Sequence, residues 1–478
     1  MVFSSLTFLF LFLPIVLFLL SLCRKIPYQN TLLFLSSLLF YAWGGVSYTL
    51  ILLTSIIINF FAGNIIQKTS RYRKLCFSIA VILNLSSLVF FKYANFLVDN
   101  FNILGGVFGI SPITLKNIVL PIGISFYTFQ ALSYLTDVYR GQVQAQTSFI
   151  KLGTYIALFP QLIAGPIIRY REIEPQLSQR NFAWENLYEG IKRFCFGLAR
   201  KVLMANQLAI IADDIFSRAP HSLTSATAWI GALAYSLQIY YDFAGYSDMA
   251  IGLGRMFGFR FPENFNFPYI AESIRGFWRR WHITLSAWFK DYLYIPLGGN
   301  RNGKLRTYLN LYIVFFLTGL WHGASWTFVV WGLLHGTFMV IERVGFGKLL
   351  EKTFKPLRIF YTLLIVVTAW VFFRADSLDY AIHFIGQMFS FQFVDGVSVF
   401  TTFYNQPRFF IIGTIAILGS TPLFDFLNTK WKAAIQNGNR GLEHTRYICV
   451  VLGVALVLVL SCCFLVTGGY NPFIYFRF

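Results

Sequence analysis

Charged residues are sparse enough in this chain to act as punctuation, and the apolar runs between them set out the elements. No charged side chain precedes Arg24, so Met1 to Cys23 is expected to form a first, retained membrane helix. A cleaved leader would have a basic start and a small-residue cleavage site, and neither is clear here. Ile26 to Gln67 is uncharged and long enough for two helices of roughly 20 residues each, with Gly44-Gly45 as the turn. After the cluster Lys68, Arg71, Arg73 and Lys74, another apolar run reaches Phe91. Uncharged runs follow at Asn117–Thr136, Ala219–Tyr241, Thr307–Ile341, Ile359–Phe373, Phe409–Phe424 and Tyr447–Phe476. The pattern predicts an all-α polytopic integral membrane protein with about eleven transmembrane helices, plus re-entrant or interfacial segments. Phe182 to Met204 mixes apolar and basic residues at helical spacing and reads as a cytoplasmic interfacial helix. The strongest break is the polar loop 430–446 before the last helix; with no repeat and no soluble domain, residues 1–478 read as one integral-membrane unit.

Basic loops orient such a chain with their side toward the cytoplasm. Arg24-Lys25 and Lys68–Lys74 flank a two-helix excursion, so both are expected inside and the N-terminus outside. Lys192-Arg193, Arg200-Lys201, Arg275, Arg279-Arg280, Arg301–Arg306 and Lys348–Arg358 mark further cytoplasmic surface.

Composition excludes the main alternatives. Only 12% of the residues are charged, against 56% hydrophobic; a globular average is about 25% charged, so a water-soluble enzyme lacks its skin here. Fifty-four phenylalanines exclude a disordered chain. The net charge of +19 then reads as membrane topology and not as a nucleic-acid surface. The six cysteines form no CxxC pair and read as buried thiols. The six histidines show no metal-ligand spacing, so no metal is expected, and the glycine-rich, HExxH and GxSxG motifs of soluble catalysts are missing.

Polar groups inside apolar segments are costly and mark cavities or function. The first such group is the histidine pair in Trp321-His322-Gly323 and His335-Gly336, within the 35-residue uncharged run Thr307–Ile341. Thirty-five residues are too few for two full spans and too many for one, so two short helices meeting near Gly323 are expected. His322 lies 16 residues beyond Arg306, roughly 24 Å along a helix, deep in the membrane. It is either a core histidine bonded to a carbonyl or a general base toward a hydroxyl. His335 carries the same two readings, its functional one being to orient substrate or His322. The second group is Asp242 and Asp248, which either hold helices together or form a proton or cation path as in a transporter. The third is Gly276–Ser286 followed by Lys290–Arg301, where Arg279, Arg280, Lys290 and Arg301 alternate with aromatics. That stretch is either an interfacial anchor or the cytoplasmic mouth for a phosphate-bearing donor.

At these residues the chain resembles the membrane-bound O-acyltransferase family, in its branch that acetylates bacterial polysaccharides. The resemblance runs nearly end to end: Met1–Ser5, Phe91–Phe96, Leu120–Tyr127, Leu162–Pro166, Asp242–Gly254, Phe277–Arg301, Gly319–Gly323 and Phe473–Phe478 all match, in order, with most motifs between residues 90 and 345. It implies a ring of helices around a thin centre, where a cytoplasmic and an extracytoplasmic funnel meet. His322 falls on the family's essential histidine and His335 on a second one of less certain role. His282 falls on a histidine shared with the branch that D-alanylates teichoic acids. The resemblance further implies acetyl-CoA as donor substrate, with no bound cofactor. It places the chain in the inner membrane, passing acetyl groups to extracytoplasmic partner proteins for an exported polysaccharide such as alginate. Tyr475–Phe478 is a candidate contact for those partners. The alternatives are the same chemistry on cellulose, peptidoglycan or teichoic acid, a transporter coupled through Asp242 and Asp248, or a scaffold of a secretion complex.

Overall fold

The breaks between helices fall where glycine and charge predict them. The computed structural model describes residues 1–180, 182–392, 406–436, 440–467, 470–472 and 474, and among these it holds helices and loops with no strand. The helices that position the site are α1 (Leu13–Leu22), α2 (Ile26–Ala42), α3 (Val46–Lys68), α4 (Arg73–Val107), α5 (Ile124–Tyr139), α6 (Trp184–Ala199), α7 (Asn206–Phe216), α8 (Ser225–Met256), α9 (Gly303–His322), α10 (Trp326–Ile341), α11 (Lys355–Arg374), α12 (Pro407–Gly419), α13 (Leu423–Gln436) and α14 (Arg440–Val466). Gly45 sits at φ +148° in the α2–α3 turn, a conformation that L side chains rarely adopt.

Helices α3, α4, α11, the run Trp184–Phe216, the run Trp326–Glu351 and His444–Val466 are each long and apolar enough to cross a membrane. The pair Pro407–Gly419 and Leu423–Ala434, bent by 63°, makes a seventh candidate. The count of eleven is therefore not confirmed. Several expected spans are too short or too polar to pass: α2 has 17 residues, and the second half of α8 carries Tyr240, Tyr241, Asp242, Ser247 and Asp248. Apolar side chains such as Leu50, Phe61, Ile82, Phe90 and Leu104 line the outer faces of α3 and α4, as a lipid-facing surface requires.

Two sequence expectations change. Phe182–Met204 is no interfacial helix: Trp184–Phe216 runs on as one apolar path through α6, Arg200–Ala205 and α7, packed along α8. Its basic residues are neutralised by acids of its neighbour: Asp248 accepts from Arg193 at 2.8 Å and also from Arg200, while Lys201 meets Asp242 at 2.7 Å. Most of 430–446 is helix and not loop, because α13 runs to Gln436 and α14 starts at Arg440; 437–439 lie outside the described residues. Of the six free cysteines only Cys195 is buried, and Cys449 and Cys463 sit on the outer, lipid-facing surface.

Helices α6 and α8 touch backbone to backbone at two glycine pairs, Gly190 with Gly252 and Gly197 with Gly245. A Cβ at Gly197 would stand 2.7 Å from the Gly245 carbonyl oxygen, and one at Gly245 would stand 2.8 Å from that of Gly197. Small residues are what permit such a crossing. Gly197→Ala is expected to cost about 1–3 kcal/mol, seen as a lower melting temperature in detergent. Gly453→Ala, with nothing within 4 Å, serves as the neutral control; equal melting of the two would refute the crossing as a constraint.

The core has two parts. One gathers Phe3, Phe8, Phe40 and Phe159; the other gathers Phe277, Trp281, Trp331 and Trp370. The second surrounds the histidines.

Candidate active site

Helices α9 and α10 form a hairpin whose break, Gly323–Ser325, places His322 at the last position of α9. Ser325 closes the break by accepting from Thr327 N and so starts α10. The His322 ring is caged by aromatics: Trp321 at 4.9 Å, Trp331 at 5.1 Å and Phe373 at 5.1 Å between centroids, all edge-on. The residue is 4% exposed, and among the described residues neither ring nitrogen has a hydrogen-bond partner. A buried polar group without a partner is uncommon in a native fold and calls for a reason. Here His322 lines a cavity of about 360 Å³ together with Lys92, Gly123, Ser125, Ile163 and Trp321. A neutral imidazole beside such a space keeps a free lone pair that could take a proton from a hydroxyl reaching it. This is not a core histidine bonded to a carbonyl.

The other two histidines are fully buried and partnered. His335 Nδ1 accepts from Trp278 Nε1 at 3.3 Å, and its ring lies parallel to Phe277 and edge-on to Trp331. His282 Nδ1 meets Asn264 Oδ1 at 3.1 Å; that oxygen also accepts from Thr284 N and Oγ1, so His282 is the donor. His282 holds φ +43°, a left-handed conformation that costs a non-glycine residue on the order of 1–3 kcal/mol and tends to be retained at functional sites. The three imidazoles are linked through two indoles: His282 lies 6.1 Å from Trp321, and both His322 and His335 lie 5.1 Å from Trp331.

A second cavity of about 630 Å³ reaches the opposite partner of His282. It is lined by Asn264 and Ser247, by the cations Lys192, Arg193, Arg200 and Arg255, and by the acids Glu189, Asp248, Glu263 and Asp425. Asn264 thus belongs both to this cavity and to the His282 hydrogen bond. Of the basic residues singled out from the sequence, Arg279, Lys290 and Arg301 are exposed at the surface and do not line it. Arg280 is half-buried and donates to the carbonyl of Asn266, which does line it. In the first half of Gly276–Arg301 the aromatics turn inward, with Phe277 against α10, Trp281 against α11 and His282 against Phe243 and Trp321, so Phe277–Phe289 is largely core, while Lys290–Arg301 is mostly half-buried or exposed.

Asp242 and Asp248 are held in ion pairs. Asp242 is bound by Lys201 and accepts from the backbone N–H of Ile474 at 2.9 Å, while Lys201 also donates to the carbonyl of Pro472. Asp248 joins Arg193 and Arg200, and Arg193 continues to Glu263. Both acids tie helices together. Tyr475–Phe478 lies outside the described residues.

Sequence reasoning passed over Lys92 and Tyr93. Lys92 donates to the carbonyl oxygens of Trp321 and His322 (the latter at 3.0 Å), and Tyr93 Oη donates to that of Leu320 at 2.6 Å. The signal was available: Lys92 is the only charge between Lys74 and Asp99, and a lone cation within an apolar helix points inward.

A buried imidazole, unpartnered among the described residues, at the broken tip of a hairpin of apolar helices is the candidate site of a membrane protein. The model of the membrane-bound O-acyltransferase family matches residues 46–379. The chain is 42% identical to a probable alginate O-acetylase of Pseudomonas putida over the whole of both chains. It is 46% identical to one of Azotobacter vinelandii, over 82% of this chain and 78% of that one. It is also 35% identical to a peptidoglycan O-acetyltransferase of Helicobacter pylori, over 100% and 98%. The chain belongs to the membrane-bound O-acyltransferase family: it is a multi-pass membrane protein and an O-acyltransferase.

Proposed function

We propose that the protein takes acetyl groups from a cytoplasmic thioester, acetyl-CoA, and delivers them across the inner membrane for O-acetylation of exported alginate. The observation that carries this reading is the unpartnered His322 imidazole on the wall of a cavity. His322 accepts the proton of an entering hydroxyl as that oxygen attacks the thioester carbonyl carbon. The tetrahedral adduct collapses, the C–S bond breaks, and the imidazolium returns the proton to the departing sulfur, so that ester and thiol form and His322 is restored. Burial among Trp321, Trp331 and Phe373 keeps water from the thioester. The second cavity is the candidate entry for the phosphates of coenzyme A, although Lys192, Arg193 and Arg200 there are already paired with Glu189, Asp248 and Glu263; Arg279, Arg280, Lys290 and Arg301 are the further basic candidates for that mouth. His282 and His335, each fixed by one hydrogen bond, support the cage around His322. With basic loops inside, the N-terminus and the His322 cavity face outward, toward extracytoplasmic partner proteins; Tyr475–Phe478 is their candidate contact.

The test uses inside-out membrane vesicles from cells that make the polymer, given acetyl-labelled coenzyme A on their outer, formerly cytoplasmic face. Ester-linked label is expected inside the lumen with the intact chain, and none with the chain deleted. Label confined to the outer face would sink the proposed direction of transfer, and label in the deleted vesicles would sink the assignment.

A further inference from the structure

Helix α9 ends inside the protein, where no bulk water takes up its free carbonyls. A helix leaves the carbonyls of its last turn without intrahelical partners; here Gly319 keeps one and the three that follow are met from outside the helix. The N–H of Gly323 donates to Gly319 O at 3.3 Å. Tyr93 Oη donates to Leu320 O at 2.6 Å. The Lys92 ammonium donates to Trp321 O and, at 3.0 Å, to His322 O. Its third donor meets Ser125 Oγ at 3.4 Å. An ammonium has three donors, so Lys92 has none left for a developing oxyanion. The same helix also holds the start of α10: Phe96 lies edge-on to Trp326 at 5.8 Å, and Asn100 Oδ1 accepts from Trp326 Nε1 at 2.8 Å. Lys92, Phe96 and Asn100 follow the i, i+4, i+8 spacing of one face of α4, with Tyr93 beside it. The break that carries His322 hangs on that face.

Among the described residues the ring of His322 has no hydrogen-bonded orienter. In hydrolytic triads a second group on the far ring nitrogen sets the direction of the imidazole. Here ring packing limits its tilt, and the backbone of the last turn sets where the nitrogens point. We propose that Lys92 is a positioning residue for His322: by binding the carbonyls of Trp321 and His322 it fixes the end of α9 and with it the place and direction of the imidazole beside the cavity. Its positive charge also meets the negative end of the α9 dipole. The inference rests on the reading of His322 as the base.

Four variants are compared with the parent in cells that make the polymer: His322→Ala, Lys92→Met, Lys92→Arg and Tyr93→Phe. Ester-linked acetate is expressed per amount of folded protein recovered from the membranes. Lys92→Met is expected to fall about 10- to 100-fold, the scale on which a misplacement of about 1 Å acts. Lys92→Arg is expected to recover to within about threefold of the parent, because it keeps both the charge and the donors. Tyr93→Phe, which removes one hydrogen bond and no charge, is expected to lose about two- to fivefold. Lys92→Met within twofold of the parent overturns the proposal, as does Lys92→Arg no better than Lys92→Met. If the lysine variants do not accumulate, Tyr93→Phe decides: loss at normal accumulation supports the clamp, and parental activity overturns it. Activity in His322→Ala sinks the base itself, whereas an inactive His322→Ala beside a parental Lys92→Met sinks only the positioning role.

Discussion

His322→Ala is expected to remove ester-linked acetate from the polymer while leaving the protein folded and in the membrane. Losing a general base costs roughly a hundredfold to ten-thousandfold in rate, which in a cell-based acetate assay reads as none. The fold should survive because the ring makes no hydrogen bond that its removal would leave unpaired. What is lost is its packing on Trp321, Trp331 and Phe373, and the cavity already beside it absorbs the gap. Melting temperature in detergent separates the two effects. A folded variant that acetylates normally would defeat the base assignment. A variant that is inactive because it no longer folds would show that the ring is a core element. His335→Ala should behave differently, because it strips Trp278 Nε1 of its acceptor and opens a hole against Phe277.

Lys201→Met is expected to act on stability. Lys201 and Asp242 are each 2% exposed at the side chain and 2.7 Å apart. Removing one partner leaves a charge stranded in a low-dielectric interior, which costs about 3–5 kcal/mol, a large share of the margin of most proteins. The expected result is a steep drop in the protein recovered from membranes. Lys201→Met combined with Asp242→Asn should regain most of it, since no charge is then buried and the amide oxygen still accepts from Ile474 N. This also separates two readings of the acids. If Asp242 were a coupling site of a transporter, Asp242→Asn would stay folded and lose function, with His322→Ala remaining active. Parental recovery of the single Lys201→Met variant would remove the pair from the stabilising framework.

The sequence was most readable where chemistry is local. Gly44-Gly45 marked the α2–α3 turn because only glycine adopts φ +148° there comfortably. The uncharged run Thr307–Ile341 marked a broken hairpin, because its length fits neither one span nor two. His322 was found for the same reason: a polar ring that deep in an apolar segment needs an explanation. What stayed hidden depends on pairing between distant segments. Phe182–Met204 looked interfacial because its four cations were counted without Asp242, Asp248 and Glu263, which neutralise most of them from 41 or more positions away. The charged lining of the second cavity, cations paired with acids, escaped notice because Arg255 comes from the end of α8, while Lys192, Arg193 and Arg200 come from the α6 path. Lys92 had a signal, its isolation, but its partners are carbonyls about 230 residues away, and backbone acceptors leave no trace in a residue pattern.

The pairing of Asp242 with Ile474 also sets a clock on assembly. These two residues are 232 positions apart, and Asn471 likewise bonds Ser4, 467 positions earlier. At roughly 5–20 residues per second of synthesis, about 12 to 46 s separate the making of Asp242 from that of its backbone donor. Throughout that interval the Asp242 and Pro472 sites are incomplete, and the helices already inserted hold a charge pair without its final seal. The segment that carries Pro472 and Ile474 therefore acts as a keystone, closing a site whose other members were made long before it.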